Sequence, residues 1–245
     1  MPTVGGKAAD LKPQLLKILE RMGLELKNAW ATSDAGQPMP KIFEDGVKAW
    51  FRCLSHMSQN AVKAAAESIT LFVDLMKIVD TITLQLTVST KRSNIYTAAC
   101  AQFAITANVT QPPALGSSSV VRWDSWSSKL ERLVSNLPVI MKIKPADYPF
   151  RDGEKKTAFA AAVKTVSGSS PQAALVRLQL TELSALLKSV RIFNKETQGQ
   201  GVSIHKFSGI GDRLVSYLDD FDGDPGVKDI AAKIKEEFLG RYSGK

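Results

Sequence analysis

The chain has 245 residues, 44% hydrophobic and 23% charged, a balance that suits a folded globular protein and excludes a disordered polyelectrolyte. Lys and Arg number 32 against 24 Asp and Glu, for a formal net charge of +8 and a pI near 9.4. That excess favours an anionic partner: nucleic acid, an acidic membrane surface or an acidic protein.

No apolar run approaches the roughly 20 residues that a membrane-spanning helix needs. The first residues, Met1-Pro-Thr-Val-Gly-Gly-Lys7, lack the basic-then-apolar order of a signal peptide. The two cysteines, Cys53 and Cys100, each sit in an apolar helical pattern and read as small buried hydrophobes, which points to a reducing compartment. The expected location is the cytoplasm, or the virion if the chain is viral.

The first predicted helix opens near Ala9 or Asp10, with Pro13 in its first turn, and carries Leu15, Leu19, Met22 and Leu26 on one face. A turn-rich link runs from Asn28 to Pro40. A second helix is predicted over about Lys41–Met57, with Phe43, Val47, Trp50 and Leu54 on its core side. From Ser58 or Gln59 a central amphipathic helix places Val62, Ala65, Ile69, Phe72, Met76 and Val79 in one seam. Its polar face mixes charges of both signs, as a solvated face does.

Between Thr81 and Val88 the period changes. Ile82, Leu84, Leu86 and Val88 alternate with polar residues, which predicts a short half-buried strand, although Ile82 and Leu86 also have helical spacing. Lys91-Arg-Ser-Asn94 leads into a helix over Ile95–Asn108 that is rich in alanine. The run Thr110-Gln-Pro-Pro-Ala-Leu-Gly-Ser-Ser-Ser119 cannot continue a helix and marks the place where two lobes would join.

Trp123 and Trp126, beside Arg122 and Lys129, open a helix that reaches Leu137 before Pro138. Two readings stand for the tryptophans: base stacking in a positive groove, or a hydrophobic anchor beneath the helix start. Val139–Lys144 predicts a second short strand with Lys142 and Lys144 on one face. Pro145–Gly153 is a loop, followed by a cluster of Arg151, Lys155 and Lys156 that Asp152 and Glu154 dilute.

A long helix then starts at a Ser169 or Ser170 cap with Pro171 in first position. Val176, Leu180, Leu183, Leu187 and Val190 form its buried seam. Arg177, Lys188, Arg191 and Lys195 fall within about 60° of one another along the flank of that seam. Such a stripe suits a phosphate-lining groove wall, and equally a solvated helix edge.

After a linker over Glu196–Lys206, the stretch Phe207-Ser-Gly-Ile-Gly-Asp-Arg-Leu-Val215 resembles a helix-hairpin-helix motif in its apolar-x-Gly-apolar-Gly core. In that motif glycine amides and a helix N-terminus hold a phosphate. The resemblance covers about a dozen residues and departs at Val215, where a small alanine is usual. The alternative is a glycine-rich turn feeding a helix over Asp212–Phe221.

Asp220, Asp222 and Asp224 have calcium-loop spacing, but Pro225 stands in the sixth place and Ala231 in the twelfth. Asp224 as the cap of a helix with Pro225 first accounts for the sequence better. His56 and His205 have no metal-ligand spacing, and nucleophile-elbow, P-loop and dinucleotide patterns are absent.

The fold expected is mainly α: a multi-helix globular fold with at most a small β element near 82–88 and 139–144. It forms either one domain or two helical lobes, 1–110 and 123–245, joined by a linker at 111–122. The function expected is non-enzymatic, with no metal or cofactor: backbone-directed binding of single-stranded RNA or another polyanion, with homo-oligomeric assembly, in the manner of a viral nucleoprotein or coat protein. Arg177, Lys188, Arg191, Lys195, Lys206, Arg213 and Arg122 would face phosphates, and Trp123 or Trp126 would stack a base. The alternatives are a matrix-type scaffold on acidic membrane or protein surfaces, and a DNA-binding module using the glycine turn.

Overall fold

The computed structural model describes residues 8–28, 30–33, 42, 47–116, 123–198 and 204–242. Among them the chain forms α1 (Ala8–Arg21), β1 (Trp30–Ser33), β2 (Ala49–Arg52), α2 (Leu54–Ser68), α3 (Thr70–Thr87), α4 (Thr90–Ala107), α5 (Trp123–Ile140), α6 (Gly153–Ser167), α7 (Pro171–Gln198), α8 (Ile204–Asp219) and α9 (Pro225–Tyr242). The fold is mainly α, as the periodicity predicts.

The β element lies elsewhere than expected. Within the described residues it is a parallel pair, with Trp30 opposite Ala49 and Ser33 opposite Arg52. Trp50 is therefore on a strand, and the helix predicted over Lys41–Met57 begins only at Leu54. Residues 82–87 belong to α3, and Val88 is its C-cap. A strand would put Ile82, Leu84, Leu86 and Val88 on one face. Instead Ile82 and Leu86 are fully buried one helical turn apart, while Leu84 is 54% exposed and Val88 68%.

Residues 139–144 likewise form no strand. Val139 and Ile140 complete α5, which runs through Pro138, and a turn follows at Met141 and Lys142. A proline near a helix end removes only one backbone hydrogen bond, and burial of Val139 and Ile140 holds the last turn in place. The central amphipathic helix is also two helices. Ile69 is extended (φ −105°, ψ 112°) and serves as the end of α2 and the start of α3. Its N–H closes α2 on the Ala65 carbonyl at 3.0 Å, and its own carbonyl accepts from Val73 N–H at 3.2 Å.

Local chemistry sets the other helix starts. Ser89 caps α4, its hydroxyl accepting from Arg92 N–H. The carboxylate of Asp152 accepts from Glu154 and Lys155 N–H to cap α6, a helix that no strong periodic signal announces. Ser170 Oγ accepts from Ala173 N–H at 3.2 Å, with Pro171 in first position, as predicted for α7. Asp224 caps α9 through Gly226 N–H and is fixed from α7, where Gln179 donates to its carboxylate and Glu182 accepts its N–H.

One hydrophobic core runs through α2 to α9. The α7 seam predicted from sequence, Val176, Leu180, Leu183, Leu187 and Val190, is buried at its centre. Helix α7 packs on α2, α5 and α6, and α9 lies along α2. Residues on both sides of the 111–122 segment contribute to this core. Asn136, fully buried on α5, joins three parts of the fold: it accepts from Tyr96 Oη on α4 at 2.6 Å and donates to the carbonyls of Pro113 and Arg132.

Candidate nucleic-acid interface

The predicted cationic stripe on α7 meets three different environments. Arg177 turns inward to the end of α6, where its Nη1 donates to the carbonyls of Val166 at 2.7 Å and Gly168 at 2.9 Å. A guanidinium there satisfies carbonyls that the helix leaves without partners and complements the negative end of its dipole.

Lys188 and Arg191 converge on Glu131 of α5. Lys188 Nζ lies 3.1 Å from one carboxylate oxygen and Arg191 Nη2 2.7 Å from the other, while Arg191 Nη1 donates to Ser128 Oγ at 2.7 Å. Arg191 is 18% exposed and Lys188 51%. Partial burial works to raise the Glu131 carboxyl, but the hydrogen bonds and charges of Lys188 and Arg191 outweigh it and hold the group below its ordinary range.

Further along, Lys195 is exposed and forms no ion pair among the described residues. Arg213 on α8 lies 3.1 Å from Glu196 at the end of α7. Lys206 and Trp123 are on α8 and α5, but their side chains, and all of Arg122, fall outside the described residues. Trp126 packs edge-on against Phe72, with ring centroids 6.3 Å apart, at the margin of the core.

The glycine turn takes a different form from the predicted one. Gly209 and Gly211 lie inside α8, which runs without interruption from Ile204 to Asp219. Their amides therefore sit in the helical ladder and are not presented at a helix start.

A second basic surface emerges along α4. Helix residues Arg92, Ile95, Ala99, Phe103 and Thr106 share one face, and residues 139–155 run beside it. Two adjoining cavities line this seam. The wider, about 570 Å³, lies between the end of α3, the start of α4 and residues 149–155. The narrower, about 290 Å³, lies between the middle of α4 and residues 139–148. Lys91, Arg92, Lys142, Lys144, Arg151 and Lys155 line them against two carboxylates, Asp147 and Asp152.

Arg92 is the structural cation of this groove. It donates to the carbonyls of Gln85 and Pro149 and lies 4.5 Å from the centroid of the Phe150 ring, which fastens the 149–151 segment to the α3–α4 corner. Lys155 pairs with Asp152 at 3.2 Å. Lys91, Lys144 and Arg151 are exposed and have no carboxylate partner among the described residues.

In the narrower cavity Lys142 Nζ lies 4.9 Å from the centroid of the Phe103 ring. Burial, together with Cys100 and Asp147, pushes the Tyr148 phenol up to about 12, so it lines the cavity as a neutral group. The sequence contains each pair of these cations, Lys91-Arg92, Lys142 with Lys144, and Arg151 with Lys155, but no periodicity links them. Only the fold brings them to one groove.

Among the described residues no three His, Cys, Asp or Glu side chains group as metal ligands, and no helix is long and apolar enough to cross a membrane. No protein-family model, curated protein or solved structure matches this chain.

Proposed function

We propose that this protein binds nucleic acid, RNA foremost, through its phosphates and without catalysing a reaction, and that it self-associates along the polymer in the manner of a viral nucleoprotein or coat protein. The observation that carries this reading is the α4 groove, where six cations face two carboxylates and Lys91, Lys144 and Arg151 stand exposed. A groove with a net excess of positive charge raises the local concentration of a polyanion and releases its counterions on binding.

The α7 stripe plays a lesser part in this reading, because Arg177 and Arg191 already serve internal partners. Lys195 is the cation of that stripe that stands exposed without an ion pair among the described residues. Self-association draws support from exposed apolar residues on and just after α1: Leu16, Ile18, Met22 and Leu24.

Fluorescence anisotropy with a labelled single-stranded RNA across a salt series tests the proposal. Binding is expected to weaken log-linearly with salt, with a slope of about −0.7 per phosphate neutralised. Joint replacement Lys91→Glu and Arg151→Glu should weaken binding and make the slope shallower by about 1 to 2. Absence of binding at about 50 mM salt sinks the reading. Flotation with acidic vesicles in that event would point to the matrix-type scaffold.

A further inference from the structure

Resting on the nucleic-acid reading above, we infer that the narrower cavity of the α4 groove is a subsite for an unpaired nucleobase. Its volume, about 290 Å³, is at the lower end for ligand pockets, which suits one planar ring system and not a length of strand. Its walls are apolar, formed by Ile95, Ala99, Phe103 and Ile143.

Its edge carries polar groups suited to a base. Gln102 Nε2 donates to Thr106 Oγ1 at 3.1 Å, which leaves the Gln102 amide oxygen open to accept from an exocyclic amine or ring N–H. The wide end of the same groove holds Lys91 and Arg151, and Lys144 stands at the narrow end. Cations lining the neighbouring cavity and the rim of an apolar, ring-walled pocket are what a single strand requires, with phosphates outside and a base turned inward.

Lys142 links the two functions. Its ammonium group lies over the Phe103 ring in the free protein. A phosphate arriving at the rim attracts that ammonium group outward and uncovers the ring face for the base. The ring and the cation then serve different parts of one nucleotide.

Binding of three probes of about 12 units separates this inference from the reading beneath it: oligouridylate, the abasic sugar-phosphate strand of equal length, and inorganic polyphosphate. The intact strand is expected to bind about tenfold more tightly than the abasic strand. Phe103→Ala should remove that difference, so that intact and abasic strands bind the variant equally. Ala99→Leu fills the cavity while preserving its apolar walls, and should do the same if Phe103→Ala proves unstable by thermal melting. Equal binding of intact and abasic strands overturns the base subsite and leaves the polyanion reading in place. Failure of all three probes to bind overturns both.

Discussion

Glu131 shows at the scale of one residue how a charge pattern changes meaning on folding. The stripe of Arg177, Lys188, Arg191 and Lys195 is visible from helical spacing alone. Its neutralisation is not, because Glu131 and Ser128 belong to another helix and meet Lys188 and Arg191 only when α5 packs on α7. The carboxyl titrates below its ordinary range, so near pH 4 the folded state binds fewer protons than the unfolded one. Its contribution is complete above the unfolded value, about 4.3, and is lost as pH falls through the lower folded value. Glu131→Gln should therefore lower the urea midpoint at neutral pH by the equivalent of at most about 1 kcal/mol, since the carboxylate is partly exposed. The gap between variant and wild type should narrow as pH falls through the lower folded value and vanish once both carry a neutral side chain. Glu237 and Asp152 are also held low, so acid destabilisation persists in both proteins. A gap that stays constant with pH would show that the ion pairs do not contribute.

At the scale of elements, residues 82–88 are the instructive case. Alternation of Ile, Leu and Val with Thr and Gln satisfies a strand template, yet the same segment satisfies a helix one turn at a time. Burial decides between them: Ile82 and Leu86 continue the α3 seam from Phe72, Leu75 and Val79, and all five reach one core. Leu86→Ala should cost about 3 kcal/mol, whereas Leu84→Ala, on the exposed side, should cost less than about 0.5 kcal/mol. Urea unfolding of the two variants checks the helical period directly, and equal costs would contradict it. The glycines of α8 teach a similar lesson. Gly209 and Gly211 signal a turn locally, but Ile210, Leu214 and Leu218 recur at helical spacing and are buried together, and that burial offsets a cost of about 1 kcal/mol per helical glycine.

For the whole molecule, the arrangement that matters is α9 against α2, which brings the last helix onto one of the first. Val227, Ile230, Ile234 and Phe238 are fully buried there, and Phe238 meets Phe193 of α7 edge-on at 5.9 Å. Phe238→Ala should cost about 4 kcal/mol and lower the melting temperature by about 10 °C. The variant should still melt in one transition, because the cavity lies in a core that α2 to α9 share; a separate early transition would mean that α9 is an independent unit. The amino-acid sequence by itself determined the helical class, the basic character, the caps at Ser170 and Asp224 and the buried seam of α7, because each depends on neighbours within a few residues. The tertiary structure alone decided that α3 absorbs the expected strand, that Glu131 engages the α7 cations, and that three separate pairs of basic residues line the α4 groove. Those outcomes depend on which helix faces which, and spacing along a single chain does not encode the partner across an interface.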